Sequence, residues 1–121
     1  MKFFVIGAVL AALAVAAGAF GAHALAARLT PERLATWETA ARYHMYGALG
    51  LVLIGIAADR WPSSLMNAAG WLMIAGVLVF GGTVYALALD GPRWLGAITP
   101  IGGASLIAAW LMAAVAVYAD S

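Results

Sequence analysis

Four long stretches of this chain carry almost no charge, and that pattern limits the fold more than any other feature. Residues 3–22, 61–89 and 94–119 contain no Asp, Glu, Lys or Arg, and 43–58 contains none of these either and a single His, His44. Eleven charged side chains punctuate the stretches: Lys2; Arg28, Glu32, Arg33, Glu38 and Arg42; Asp59 and Arg60; Asp90 and Arg93; and Asp120. A helix needs roughly 20 apolar residues, at about 1.5 Å each, to cross a hydrocarbon layer of about 30 Å. Four spans fit, at about 2–22, 40–58, 65–89 and 95–118, in a single membrane domain over residues 1–121.

Hydrophobic residues make up 66% of the chain and charged ones 9%, against about 25% charged in a soluble domain. The stretches are apolar on every face, whereas a membrane strand alternates apolar and polar residues. The expected fold is therefore all-α: an integral membrane four-helix bundle with antiparallel neighbours and an interfacial helix before the second span. A net charge of +1 leaves no basic track for nucleic acid. The absence of cysteine removes disulfides, thiolate metal sites and thiol catalysis. The first apolar run, about 20 residues, exceeds the 7–15 of a signal peptide's apolar region, so it is read as the first membrane helix.

Local signals set the helix ends. Thr30 is an expected N-cap, Pro31 suits the first helical position and Glu32 suits the positive end of the helix dipole. Pro62 ends the second helix after Asp59 and Arg60, and Ser63 or Ser64 caps the third. Gly91 and Pro92 follow Asp90 as a stop signal. Pro100 either opens the fourth helix or kinks it, and with Gly102 and Gly103 beside it a kink or break over 99–103 is the expectation.

Small residues recur along helix one: Gly7 and Ala11, then Ala14, Gly18 and Ala22, with Ala17 and Gly21 one row over. Without a hydrophobic drive between helices in lipid, such rows let backbones approach closely. Gly18, Gly21, Gly81, Gly82, Pro100, Gly102 and Gly103 are the expected close-packing positions.

Antiparallel threading gathers most of the polarity at one membrane face, where His23, Glu38, Arg42, Tyr43, His44, Tyr85 and Thr99 form the candidate cluster. His23 is expected to fix the end of helix one through a hydrogen bond to the Glu38 and Arg42 region or to Tyr85. This face holds four of the six Lys and Arg residues, a lean towards the cytoplasm under the positive-inside rule.

The blocks "GAFGAHAL" (18–25), the region of Trp37 and Tyr43, "FGGTVYALAL" (80–89) and "ITPIGG" (98–103) followed by Trp110 resemble the signature of the domain-of-unknown-function 423 family. Its members are small bacterial membrane proteins of the YgdD type, to which transmembrane protein 256 is similar. The resemblance implies a multi-pass protein of the bacterial inner membrane with four helices, and it brings no activity. Three positions depart from the family pattern: Gly47 stands where a His is frequent, His44 where Gln is usual, and Gly81 where Ser is common.

Zinc wants three or four His, Cys or carboxylate ligands, and two histidines without cysteine fall short. Haem would need His23 and His44 to face each other at one depth. No nucleophile, acid and base stand at motif spacing. No cofactor, metal or catalytic residue is therefore assigned. The expected role is non-catalytic, as a packing, interaction or accessory subunit that self-associates or joins a membrane complex. The alternative is passage of a small solute or proton past His23, His44 and a Thr99–Gly103 break. The expected partners are the lipid bilayer and a second copy or another membrane subunit, with no nucleic acid.

Overall fold

The computed structural model describes residues 1–120. Four helices carry it: α1 (Lys2–Leu25), α2 (Pro31–Arg60), α3 (Ser64–Ala88) and α4 (Leu95–Asp120). Each is long and apolar enough to span a bilayer, and no strand occurs among the described residues.

The caps form where side chains permit. Thr30 Oγ1 accepts from the Arg33 amide at 3.2 Å, and Ser63 Oγ accepts from the Met66 amide at 3.0 Å, each satisfying one orphan donor of its helix. At the end of α3 the Gly91 amide bonds the Ala86 carbonyl at 2.7 Å and the Asp90 amide bonds that of Leu87, the paired closure of a Schellman turn. The residue in the left-handed region is Asp90, at φ 71°, and not the glycine beside it. Asp tolerates this conformation better than most residues, and its carboxylate holds Arg33 at 2.7 Å.

Two expectations about helix continuity change. The segment ahead of the second span is no separate interfacial helix: α2 runs unbroken for 30 residues, about 45 Å at 1.5 Å per residue. Its early turns already pack, since Trp37, Ala40 and Ala41 are buried. Nor does α4 break at 99–103, because it starts at Leu95 and carries Pro100 inside. The amides of Leu95, Gly96 and Ala97 bond carbonyls three residues back, so Pro100 lies just past the first turn, where a missing donor removes one backbone bond.

Each helix packs chiefly on its chain neighbour: α1 on α2, and α4 on α3. α2 also lies against α3, and only lightly against α4. The central core joins Leu51 and Ile54 of α2 to Met66, Met73 and Val77 of α3 and Leu106 of α4, with Phe3 closing it from α1. Phe3 lies over Gly70 and meets Trp71 edge-on at 5.4 Å.

Glycines make the seams. A Cβ at Gly7 would stand 2.7 Å from the Val52 nitrogen, and one at Gly55 would stand near the backbone of Phe4, so α1 and α2 approach backbone to backbone. At the α3–α4 seam a Cβ at Gly102 would run into the Phe80 backbone, and Gly76 clears Leu106. Both α1 and α3 widen by one π turn, at Gly21–Leu25 and Val77–Gly81. Such turns insert one residue and rotate everything after it, which lets α3 keep Met73 buried before its π turn, Val77 at its start, and Val84 and Ala88 after it.

Candidate functional site

The polar end gathers around α2. His44 lies between α1 and α3 with 9% of its surface exposed. Its Nδ1 shares a hydrogen bond of 2.9 Å with the Tyr85 hydroxyl, and the rings meet edge-on at 5.9 Å. Its Nε2 is buried without a hydrogen-bond partner among the described residues, and the backbone carbonyl of Leu10 in α1 faces the ring.

Two turns nearer the start of α2, Trp37 covers this pair. Its ring lies 4.6 Å from that of Tyr85 and 6.1 Å from that of Phe20, and its Nε1 donates to the Ala17 carbonyl at 2.8 Å. The indole fits because Gly21 has no side chain: a Cβ there would stand 2.5 Å from Trp37 Cδ1. Leu25, Trp37 and Ala88 form a small second core at this end. A second polar contact joins α3 to α4, where Thr83 and Thr99 hydroxyls meet at 2.7 Å. Each hydroxyl also lies within hydrogen-bond distance of a carbonyl one turn back, Thr99 of Leu95 at 3.0 Å and Thr83 of Val79 at 2.8 Å. With one proton each, one threonine donates to the other, which donates to its carbonyl.

The structure therefore divides the candidate cluster. His44 and Tyr85 come together, and Thr99 finds Thr83. Tyr43 stacks with Tyr46 and with Phe80, both at 5.3 Å. His23 is exposed at the end of α1 and makes none of the hydrogen bonds expected of it; the bond to Tyr85 belongs to His44. Glu38 and Arg42, one turn apart, form no ion pair. Among the close-packing positions, Gly21 and Gly102 carry tight contacts, while Gly81 and Gly103 have only ordinary ones. Gly18 and Gly82 have no neighbour within 4 Å of a built Cβ, and Pro100 is exposed, so these three lie off the seams.

The sequence-based cluster leaves out Trp37, and it leaves out the partners Thr83, Arg33 and Asp90, which the threading places only on the same membrane face. The signal for Trp37 was present: an indole among small residues in an early helical turn needs a partner for its N–H when buried. Chemically, an imidazole with one nitrogen on a phenol and a ring sealed by Trp37 links three helices. No group of three or more His, Cys, Asp or Glu residues that could hold a metal ion occurs among the described residues.

The family model described as "Protein of unknown function (DUF423)" matches residues 17–103, the region that contains the Trp37, His44 and Tyr85 cluster and both π turns. The chain belongs to the DUF423 family. It is similar to the UPF0382 membrane protein YwdK of Bacillus subtilis, at 46% identity over 118 residues, covering 96% of this chain and 96% of that protein. Similarity to the UPF0382 membrane protein SH2409 of Staphylococcus haemolyticus is 49% over 113 residues, covering 93% and 92%. The UPF0382 membrane protein SAB0533 of Staphylococcus aureus is 44% identical over 119 residues, covering 98% and 97%. No solved structure matches the chain. With bacterial relatives named as membrane proteins and four apolar helices, this DUF423 member is a multi-pass membrane protein.

Proposed function

We propose that this DUF423 protein is a non-catalytic association subunit of the bacterial membrane, which uses the outer face of α1 to join a second copy or another membrane protein. One observation carries the reading. The buried face of α1, with Gly7, Ala14 and Gly21, is occupied by α2, and almost opposite it Ala8, Ala12, Ala16 and Ala19 form a second row of small residues that is exposed. A row at spacings of four and three favours a close helix partner, since lipid alone gains nothing from small side chains there.

Association is favoured over passage of a solute because α4 stays helical through Thr99–Gly103. The unwound carbonyls that a transporter uses to line a site are not supplied by that segment. The test is a pair of substitutions, Ala12→Leu and Ala16→Leu, which point away from the bundle. Native mass spectrometry in mild detergent and cross-linking in membranes are expected to show an assembly in the parent protein and its loss in the double variant. A parent protein that is monomeric and free of partners in both measurements overturns the proposal. Proteoliposome flux that vanishes on His44→Ala would establish passage instead.

A further inference from the structure

A groove of about 480 Å³ opens on the side of the bundle where α2 and α4 stand apart. Tyr43 and Tyr46 of α2, Phe80 of α3, and Ile107 and Trp110 of α4 form its walls, and Gly103 leaves its floor clear, while the space beside Gly47 is filled by Val77. It exists because Phe80 stands between the two helices, its backbone seated on Gly102. The stacked rings of Tyr46, Tyr43 and Phe80 make its wall stiff, so the groove is preformed. Its size falls in the range of small-molecule sites, about 300–1,000 Å³.

We propose that this groove seats an anionic phospholipid, with an acyl chain along the rings and the phosphate on Arg42. Charge placement selects this occupant. Arg42 lies three residues from Thr39 and four from Tyr46, so it flanks the helix face that lines the groove, one turn from two of its wall residues. It makes no hydrogen bond, ion pair or ring contact with any described residue, although Glu38 is one turn away. Three of the other five cations are engaged, Arg33 by Asp90, Lys2 over Phe3 and Trp71, and Arg60 over Trp61, while Arg28 and Arg93 lie in the connections between helices and not beside the groove on α2.

Depth agrees with the assignment. Arg42 stands eighteen residues before Arg60, about 27 Å along the helix, which places the two arginines at opposite edges of a hydrocarbon layer of about 30 Å. The guanidinium thus meets the headgroup layer where it can fork onto phosphate oxygens. From that level the groove runs inward to Trp110.

Gly103 supplies a clean way to fill the groove, since a Cβ there makes only ordinary contact with the Phe80 ring, at 3.7 Å. The experiment titrates the full-length protein in mild detergent with phosphatidylglycerol or phosphatidylcholine and follows bound lipid by native mass spectrometry. Phosphatidylglycerol is expected to bind about five-fold more tightly than phosphatidylcholine, a preference that Arg42→Gln abolishes. Gly103→Leu is expected to remove both adducts while the helical signal and melting stay at parent values; Ile107→Trp fills the same space from the wall and serves if that variant does not fold. Equal retention of the two lipids overturns the proposal, as do adducts that survive both filling variants. A dimer that Gly103→Leu dissolves would also overturn it, assigning the groove to a second copy.

Discussion

α2 meets its neighbours in two different ways. Towards α1 it presents Gly55 to the backbone of Phe4 and receives Gly7 against its own backbone; towards α4 it presents Tyr43 and Tyr46 across a groove. On the first side the spacing is set by main-chain atoms that cannot yield, and on the second by side chains that leave room. An added methyl group is therefore costly or harmless according to which atom it meets, although glycine is the starting residue in both places.

The largest effect should come from Gly55→Ala, whose Cβ would collide with the Phe4 backbone. Separating α1 from α2 should cost about 3 kcal/mol, read as a fall in unfolding free energy in mixed detergent micelles. A loss below about 0.5 kcal/mol would break the distinction between seam and groove. Gly21→Ala should cost less, about 1–2 kcal/mol, because its obstacle is the Trp37 ring, which can swing aside. Trp fluorescence should shift in the same variant as the Nε1 bond to Ala17 is lost.

Tyr85→Phe should come next, at about 1 kcal/mol, because it leaves His44 Nδ1 without its hydroxyl. The check is the same unfolding measurement, with Tyr43→Phe as the unaffected comparison. The smallest effect, and the sharpest contrast, belongs to neighbouring glycines. Gly103→Ala should stay within about 0.5 kcal/mol of the parent, whereas Gly102→Ala should lose several times more, since its Cβ meets the Phe80 backbone. Equal losses at the two positions would show that helix propensity, and not contact, governs this stretch.

The sequence-based expectations held best where charge and proline interrupt apolar runs. Four spans, the Thr30 and Ser63 caps and the gathering of polarity at one end all follow from such interruptions. Faces were much harder to read. A helix that is apolar all round gives no period to mark its buried side, and α1 carries small residues on two sides, so Gly21 could not be told from Gly18. Likewise His23 and His44 are equivalent as letters; the choice between them comes from α2 continuing inward past Trp37 while α1 ends near His23. Pro100 left two readings open because its harm depends on its distance from the helix start; the helix begins at Leu95, as the span 95–118 placed it, with Pro100 inside and no break over 99–103.

The connections between helices are short, and the principal partner of every helix is its neighbour in the chain. A ribosome delivering this protein amino end first would release α1 and α2 as a hairpin able to close its glycine seam before α3 emerges. The second hairpin then has a finished surface to dock on, and the bond between Arg33 and Asp90 can form only when the turn after α3 has been made. That contact records a step of assembly: an intact Arg33–Asp90 pair means that α3 has inserted and docked on the first hairpin.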